Sequence, residues 1–202
     1  MGLKDLKRNF IIDTATSLFL DQSIESITIR DIAQEAELGE ATIYRYFGNK
    51  VSIVAESVMK LQGIVSQNYF KLEEGKTGLE KLSIFYHSYL DVFNEKVEFY
   101  RFIREFDLFM LKEDNRLLSQ YENEIDKYKN AYIEAYELGL KDGSIKDIEN
   151  IEIFYFASTH ALLELCKKLS YGKSVLPQDE RISKSDEIKC LINSFLKVLT
   201  NS

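Results

Sequence analysis

Along most of the chain, apolar residues recur at intervals of three and four, the period of a helix with one buried face. Phe10, Ile11, Ala15, Leu18 and Phe19 share such a face and predict a first helix over about residues 4–20. Thr28-Ile29-Arg30-Asp31 has the form of a capping box, in which a hydroxyl caps the helix and an acid three residues on reaches back. A short helix is expected from Thr28 to about Ala36. Gly39 interrupts the pattern, and Glu40 to Phe47 predicts a second short helix. Asn49 is a suitable N-cap for a long fourth helix that reaches about Leu72.

Beyond Gly75 the pattern is that of a helical bundle. Thr77 and Glu80 form a second capping box, followed by Leu79, Leu82, Tyr86, Tyr89, Leu90 and Phe93 on one face. Phe99, Phe102, Ile103, Phe106, Phe109 and Met110 mark the next helix. Leu118, Tyr121, Ile125, Tyr128, Tyr132 and Ala135 mark the one after, which stops at Lys141-Asp142-Gly143. Residues 150–171 are apolar nearly all round, which predicts a helix buried on several sides. Gly172 to Ser185, with Pro177, reads as a loop. Ile188, Leu191, Ile192, Phe195, Leu196 and Leu199 stripe a last helix. No β alternation, internal repeat or low-complexity segment interrupts this, so the expected fold is all-α with about nine helices.

Composition narrows the function. One proline in 202 residues suits long unbroken helices. The net charge of −7 speaks against indiscriminate binding to nucleic acid or to anionic membranes. Only Cys166 and Cys190 are present, without metal or redox spacing. They are expected to be small buried hydrophobes in a reducing compartment. No apolar run approaches the roughly 20 residues of a membrane span, and residues 1–10 are too charged for a signal peptide. A cytoplasmic protein is expected. His87 and His160 stand alone, and no nucleophile motif, phosphate loop or metal-ligand spacing accompanies them. The sequence therefore points to no enzyme, no cofactor and no metal.

The segment that carries chemistry is Thr28 to Lys50, TIRDIAQEAELGEATIYRYFGNK. Two short helices joined by a tight turn, the second rich in aromatics and followed by Lys50, fit a helix-turn-helix. Ile32, Ala33, Leu38, Ile43 and Phe47 would fill its small core with Ala15, Leu18 and Phe19. The other face of the second helix offers Ala41, Thr42, Tyr44, Arg45 and Tyr46, donors and small groups that suit a DNA groove. The chain is thus divided into a helix-turn-helix head at residues 1–50 and a helical body at 51–202.

Thr28, Ile32, Ala33, Thr42, Ile43, Tyr44, Tyr46, Phe47 and Lys50 fall at the offsets of the TetR-family motif, which this head resembles over about residues 8–55. The remainder resembles the family in length and helix order. The resemblance implies that Thr28, Tyr44, Tyr46 and Lys50 contact phosphates, while Arg30, Glu40, Ala41, Thr42 and Arg45 lie at or near base edges. Phosphate contacts set register and groove contacts choose sequence. Three positions depart from the pattern. Glu37-Leu38-Gly39 stands where the family often has Gly, an aliphatic and Ser or Thr, and Ser23 replaces a common Gly. Residues 1–50 hold six basic and eight acidic residues, a net charge of −2. DNA binding is therefore expected to rely on the local placement of Arg30, Arg45, Lys50 and helix termini.

The body holds an excess of aromatics. Tyr86, Tyr89, Phe93, Phe102, Phe106, Tyr128, Tyr132 and Phe156, with His160 as a polar anchor, are expected to line a cavity for a small hydrophobic or aromatic ligand. Any one of these residues is more often core than ligand contact, but together they favour a pocket, because buried phenolic hydroxyls need partners. Phe154, Leu162, Leu165, Leu191 and Phe195 on the last two helices are expected at a homodimer interface built as a four-helix bundle. The function expected is a ligand-released repressor that binds a pseudo-palindromic DNA operator as a homodimer. The alternatives are a DNA-binding adaptor of the same fold, governed by a protein partner or by none, and a small-molecule enzyme or carrier with a vestigial head.

Overall fold

The caps foreseen in the sequence set the ends of the helices. In the computed structural model, which describes residues 2–72, 76–113, 119–173, 179 and 181–200, these residues form nine α-helices and no strand. They are α1 (Leu3–Asp21), α2 (Ile29–Glu35), α3 (Glu40–Phe47), α4 (Lys50–Tyr69), α5 (Gly78–Glu95), α6 (Val97–Met110), α7 (Ser119–Asp142), α8 (Ile151–Leu169) and α9 (Lys184–Leu199). Thr28 and Asp31 complete a capping box at α2, and Thr77 and Glu80 complete one at α5. The Asn49 side chain accepts the Ser52 N–H at 2.9 Å. Each cap satisfies a backbone donor that the first turn of a helix leaves without a partner. Gly75, Leu118 and Pro177, on which parts of the sequence reading rest, lie outside the described residues.

The chain divides into two compact units, one of Met1–Gly63 with Arg101–Glu124, the other of Ile64–Tyr100 with Ile125–Ser202. In the first unit α1, α2 and α3 close around Ile11, Ala15, Phe19, Ile32, Ala33, Ile43 and Phe47. Complete burial of a side chain such as Ile43 contributes about 1.5–3 kcal/mol. The inner face of α1 passes through Ile11, Ile12, Ala15 and Phe19. Phe10, expected on that face, is instead 51 % exposed. A stack of rings continues the core, with centroids 6.4 Å apart for Phe19–Phe102 and 6.4 Å for Phe102–Phe106, then 5.4 Å for Phe106–Tyr121.

In the second unit α5, α8 and α9 pack together. At its centre the Tyr86 hydroxyl meets those of Tyr132 at 2.9 Å and Ser158 at 2.8 Å, so three buried polar groups satisfy one another. Burial pushes the Tyr86 and Tyr132 phenols above their ordinary pKa and keeps them neutral donors. The start of α5 meets the end of α7 without intervening side chains. A Cβ on Gly78 would come within 2.1 Å of the Gly139 nitrogen and 2.4 Å of the Ala135 carbonyl oxygen. The Gly78 and Leu79 N–H groups donate to Asp142 Oδ2 at 2.8 Å and Ser144 Oγ at 3.1 Å. Contacts with Ser144 and the Gly78 amide hold the Asp142 carboxyl below the usual range.

Residues 150–171, expected to be buried on several sides, leave one face of α8 open. Ile153, Phe156, Ala157, His160, Ala161 and Glu164 are exposed at helical spacing, whereas Tyr155, Ser158, Thr159, Leu162 and Cys166 turn inward. The uniform hydrophobicity of the helix does not indicate which side faces its own core. Cys166 is buried as expected, and burial pushes its thiol up to about 12, but Cys190 is exposed on α9.

Candidate nucleic-acid interface

Helix α3 is held by its inner side and offers its outer side. Ile43 is fully buried and Phe47 is 7 % exposed, four residues apart and so on one face. Glu40, Ala41, Tyr44 and Arg45 are exposed on the other, with Thr42 and Tyr46 half-buried between the two. Arg45 lies 5.7 Å from the Tyr46 ring centroid, within range of a cation–π contact. Arg30 and Thr28 are exposed at the start of α2. The structure thus brings eight of the nine candidate DNA-binding residues to the surface formed by the start of α2 and the outer side of α3. The ninth, Lys50, is half-buried at the first residue of α4.

The turn between α2 and α3 sets how the two helices meet. The Leu38 N–H donates to the Ala33 carbonyl at 2.8 Å and the Glu37 N–H to that of Gln34 at 3.1 Å. Glu37 takes φ of 53°, a left-handed conformation that an L side chain adopts at a cost. After Phe47 the chain reverses through Gly48 at φ of 75°, where glycine carries no such cost. At the N-cap of α2, the hydrogen bond to the Thr28 side chain holds the Asp31 carboxyl below the usual carboxylate range. The Thr28 hydroxyl is therefore engaged in its own capping box.

Arg8, which no sequence pattern distinguished, secures the far end of α3. Its guanidinium donates to the Tyr46 carbonyl at 2.7 Å, pairs with Glu56 of α4 and lies 4.5 Å from the Phe47 ring centroid. One cation from α1 thus fixes the last turn of α3 against the start of α4. No local spacing could have revealed it, because its partners lie 38 and 48 residues away.

The other candidate groups are distributed differently from the expectation. Tyr86, Tyr89, Tyr128 and Tyr132 lie in the second unit, where Phe70 contacts Tyr128 at 4.8 Å and Tyr89 at 5.3 Å. Phe93 packs there beside Tyr100 at 6.3 Å. Phe102 and Phe106 belong to the ring stack of the first unit. Phe156 and His160 are neighbours on the exposed face of α8, with ring centroids 5.6 Å apart. Of the residues expected at a dimer interface, Leu162 is fully buried within its own protomer, and Phe195 packs against Tyr86 at 5.6 Å and Phe154 at 6.2 Å. Leu165 and Leu191 are half-buried. Among the described residues, no group of His, Cys, Asp or Glu is placed to hold a metal, and no helix is long and apolar enough to cross a membrane.

A short helix pair with a braced, outward-facing second helix is the architecture of a helix-turn-helix DNA-binding protein. Residues 11–56 match the family model described as bacterial regulatory proteins, tetR family. The HTH-type transcriptional repressor KstR2 of Rhodococcus jostii is 25 % identical over 159 residues, 75 % of this chain and 74 % of that protein. The HTH-type transcriptional regulator HbdR of Aromatoleum is 35 % identical over 75 residues, 37 % of this chain and 33 % of that protein. Among solved structures, a Saccharomonospora viridis protein described as a transcriptional regulator, in complex with choline, superposes with a TM-score of 0.75 at 19 % identity. The match covers 96 % of this chain and 98 % of that one. The ketosteroid transcriptional regulator KstR2 of Mycobacterium tuberculosis gives 0.67 at 13 % identity, over 96 % and 95 %. Residues 11–56 thus match the DNA-binding segment of the TetR family, and the chain as a whole is similar to transcriptional regulators that carry it.

Proposed function

We propose that this regulator is a repressor that binds a pseudo-palindromic operator as a homodimer and is released by a small hydrophobic or aromatic ligand held in its body. The observation that carries the DNA-binding part is the outer face of α3, where Glu40, Ala41, Tyr44 and Arg45 project from a helix fixed by Ile43, Phe47 and Arg8. Tyr44, Tyr46 and Thr28 then meet phosphates, and Arg30, Thr42 and Arg45 reach base edges. The relative named a transcriptional repressor supports the direction of regulation. A cytoplasmic location follows from a role on DNA.

The dimer is best supported through the exposed face of α8. Ile153, Phe156, Ala157 and Ala161 form an apolar stripe with His160, and an isologous pairing would bury it against its own copy. Leu162, fully buried in its own protomer, is not part of that surface. For the ligand, the support is the cluster of Phe70, Phe85, Tyr89, Tyr128 and Tyr155. Beside it lies an open groove of about 290 Å³ lined by Phe70, Ala131, Ala135 and Leu138, with Lys81 and Glu134 as its charged members. Phe70, Leu72 and Leu138 offer an organic ligand an apolar wall there, and Lys81 and Glu134 offer it polar partners. Release requires that the ligand bind the DNA-incompetent state better; a hundredfold shift takes about 2.7 kcal/mol of differential affinity.

Arg45 tests the reading function. Arg45→Ala should lose about 1–3 kcal/mol of discrimination at one base pair of each half-site while keeping the preferences elsewhere. The measurement is a comparison of sequences selected from random DNA by the wild type and by the variant. Identical preferences would remove Arg45 from base reading.

A further inference from the structure

The tyrosines of the second unit are of two kinds. The hydroxyls of Tyr86 and Tyr132 bond to each other, and that of Tyr86 also to Ser158, while the Tyr136 hydroxyl donates to Asp147 at 2.9 Å. The Tyr100 hydroxyl donates to the Tyr89 carbonyl at 2.9 Å. By contrast, the hydroxyls of Tyr89 on α5 and Tyr155 on α8 make no hydrogen bond among the described residues. Both sit deep in the aromatic cluster. Tyr155 is 5 % exposed and Tyr89 is half-buried, and the Phe85 ring lies 6.4 Å from the first and 6.0 Å from the second. Neither hydroxyl is walled in. The side-chain oxygens that are both sealed and unpartnered belong to Thr16 and Ser57 of the first unit, so each of these two phenols borders space that admits a group the size of water.

We infer that Tyr89 and Tyr155 are the polar anchors of the body's ligand, and that this ligand is an apolar molecule with an uncharged oxygen acceptor, such as a ketone. The inference rests on the ligand-sensing reading proposed above. Buried donors in a folded protein are nearly always paired, and a carbonyl oxygen has two lone pairs to offer such donors. The surroundings select against a charged acceptor. Burial pushes the Tyr89 phenol well above its ordinary pKa and that of Tyr155 up to about 12, so both are neutral donors. The groups that act next on Tyr89 are Tyr155, Tyr128, Cys166 and Tyr86, and the one charged group that acts on Tyr155 is the Asp126 carboxylate. A ligand carboxylate would lose its water there with no cation among these groups to compensate, and beside a like charge.

The test uses the full chain and two sets of probes, acetophenone with ethylbenzene and benzoate, and benzophenone with diphenylmethane and diphenylacetate. Affinities are read by equilibrium dialysis. In the set that binds more tightly, the ketone should exceed both counterparts about tenfold, because its oxygen accepts bonds that the hydrocarbon cannot. Tyr89→Phe and Tyr155→Phe should each weaken the ketone about fivefold and leave the hydrocarbon unchanged. Tyr132→Phe, whose hydroxyl is bonded within the fold, should keep the ketone preference. Equal affinity across a set overturns the inference and leaves ligand sensing standing. So does a preferred carboxylate, which would move the anchor to Lys81 of the adjoining groove. Binding by none of the six contradicts the ligand reading and the inference with it.

A second measurement needs no ligand. In thermal unfolding of the free protein, Tyr89→Phe and Tyr155→Phe should keep the wild-type midpoint, since neither loses a hydrogen bond. Tyr132→Phe, which loses its bond to Tyr86, should unfold roughly a few degrees lower. A fall for Tyr155→Phe as large as that for Tyr132→Phe would show its hydroxyl bonded within the fold and would overturn the inference.

Discussion

Glu37 occupies the one left-handed, non-glycine position among the described residues, with φ of 53° in the turn that joins α2 to α3. Its Cβ crowds the following carbonyl there, at roughly 1–2 kcal/mol for an L residue. Glycine removes that penalty but adds conformational freedom to the unfolded chain. Glu37→Gly is expected to stabilise the protein by about 0.5–1 kcal/mol, which raises the midpoint of thermal unfolding by a few degrees. A lowered midpoint would mean that the side chain contributes more than its backbone costs. The strain lies between the two DNA-reading helices, where a more permissive turn would let their angle vary. The same variant is therefore expected to leave DNA affinity unchanged or weaker, not stronger. The position was legible in the sequence only as a departure from the family pattern.

At the level of elements, helices with side-chain caps were the most legible. Thr28, Asn49 and Thr77 each place a side-chain acceptor at the first turn, and α2, α4 and α5 begin within a residue of where those caps put them. Capping is local, so a window of four residues contains the cause. The contacts that brace the elements were not legible, because they join distant residues. Arg8 to the Tyr46 carbonyl and Lys50 to the Ile24 carbonyl involve backbone acceptors that every residue carries, so no residue type marks the partner. The open face of α8 was hidden for another reason, since a helix apolar nearly all round has a pattern too weak to tell which side faces its core. The crossing of α5 and α7 is a further long-range feature. Gly78 has Gly139 backbone where a Cβ would stand, so Gly78→Ala must push the two helices apart. A cost of about 1–3 kcal/mol is expected from overpacking, read as a lower midpoint in chemical denaturation. An unchanged midpoint would show that the crossing yields without cost.

For the whole molecule, the DNA-reading head and the exposed stripe on α8 bear on one question, whether two copies act together. A head with a net charge of −2 over residues 1–50 has little non-specific electrostatic attraction for DNA. One short recognition helix reads only a few base pairs. Two copies related by a two-fold axis double the contacts and read inverted half-sites, whose spacing reflects the separation of the heads. The measurement that tests this most directly is selection of bound sequences from random duplex DNA by the full chain. The account predicts enrichment of an inverted repeat, its half-sites centred about 10 base pairs or a multiple of that apart. Recovery of a pool with no enriched sequence, despite folded protein, would contradict it.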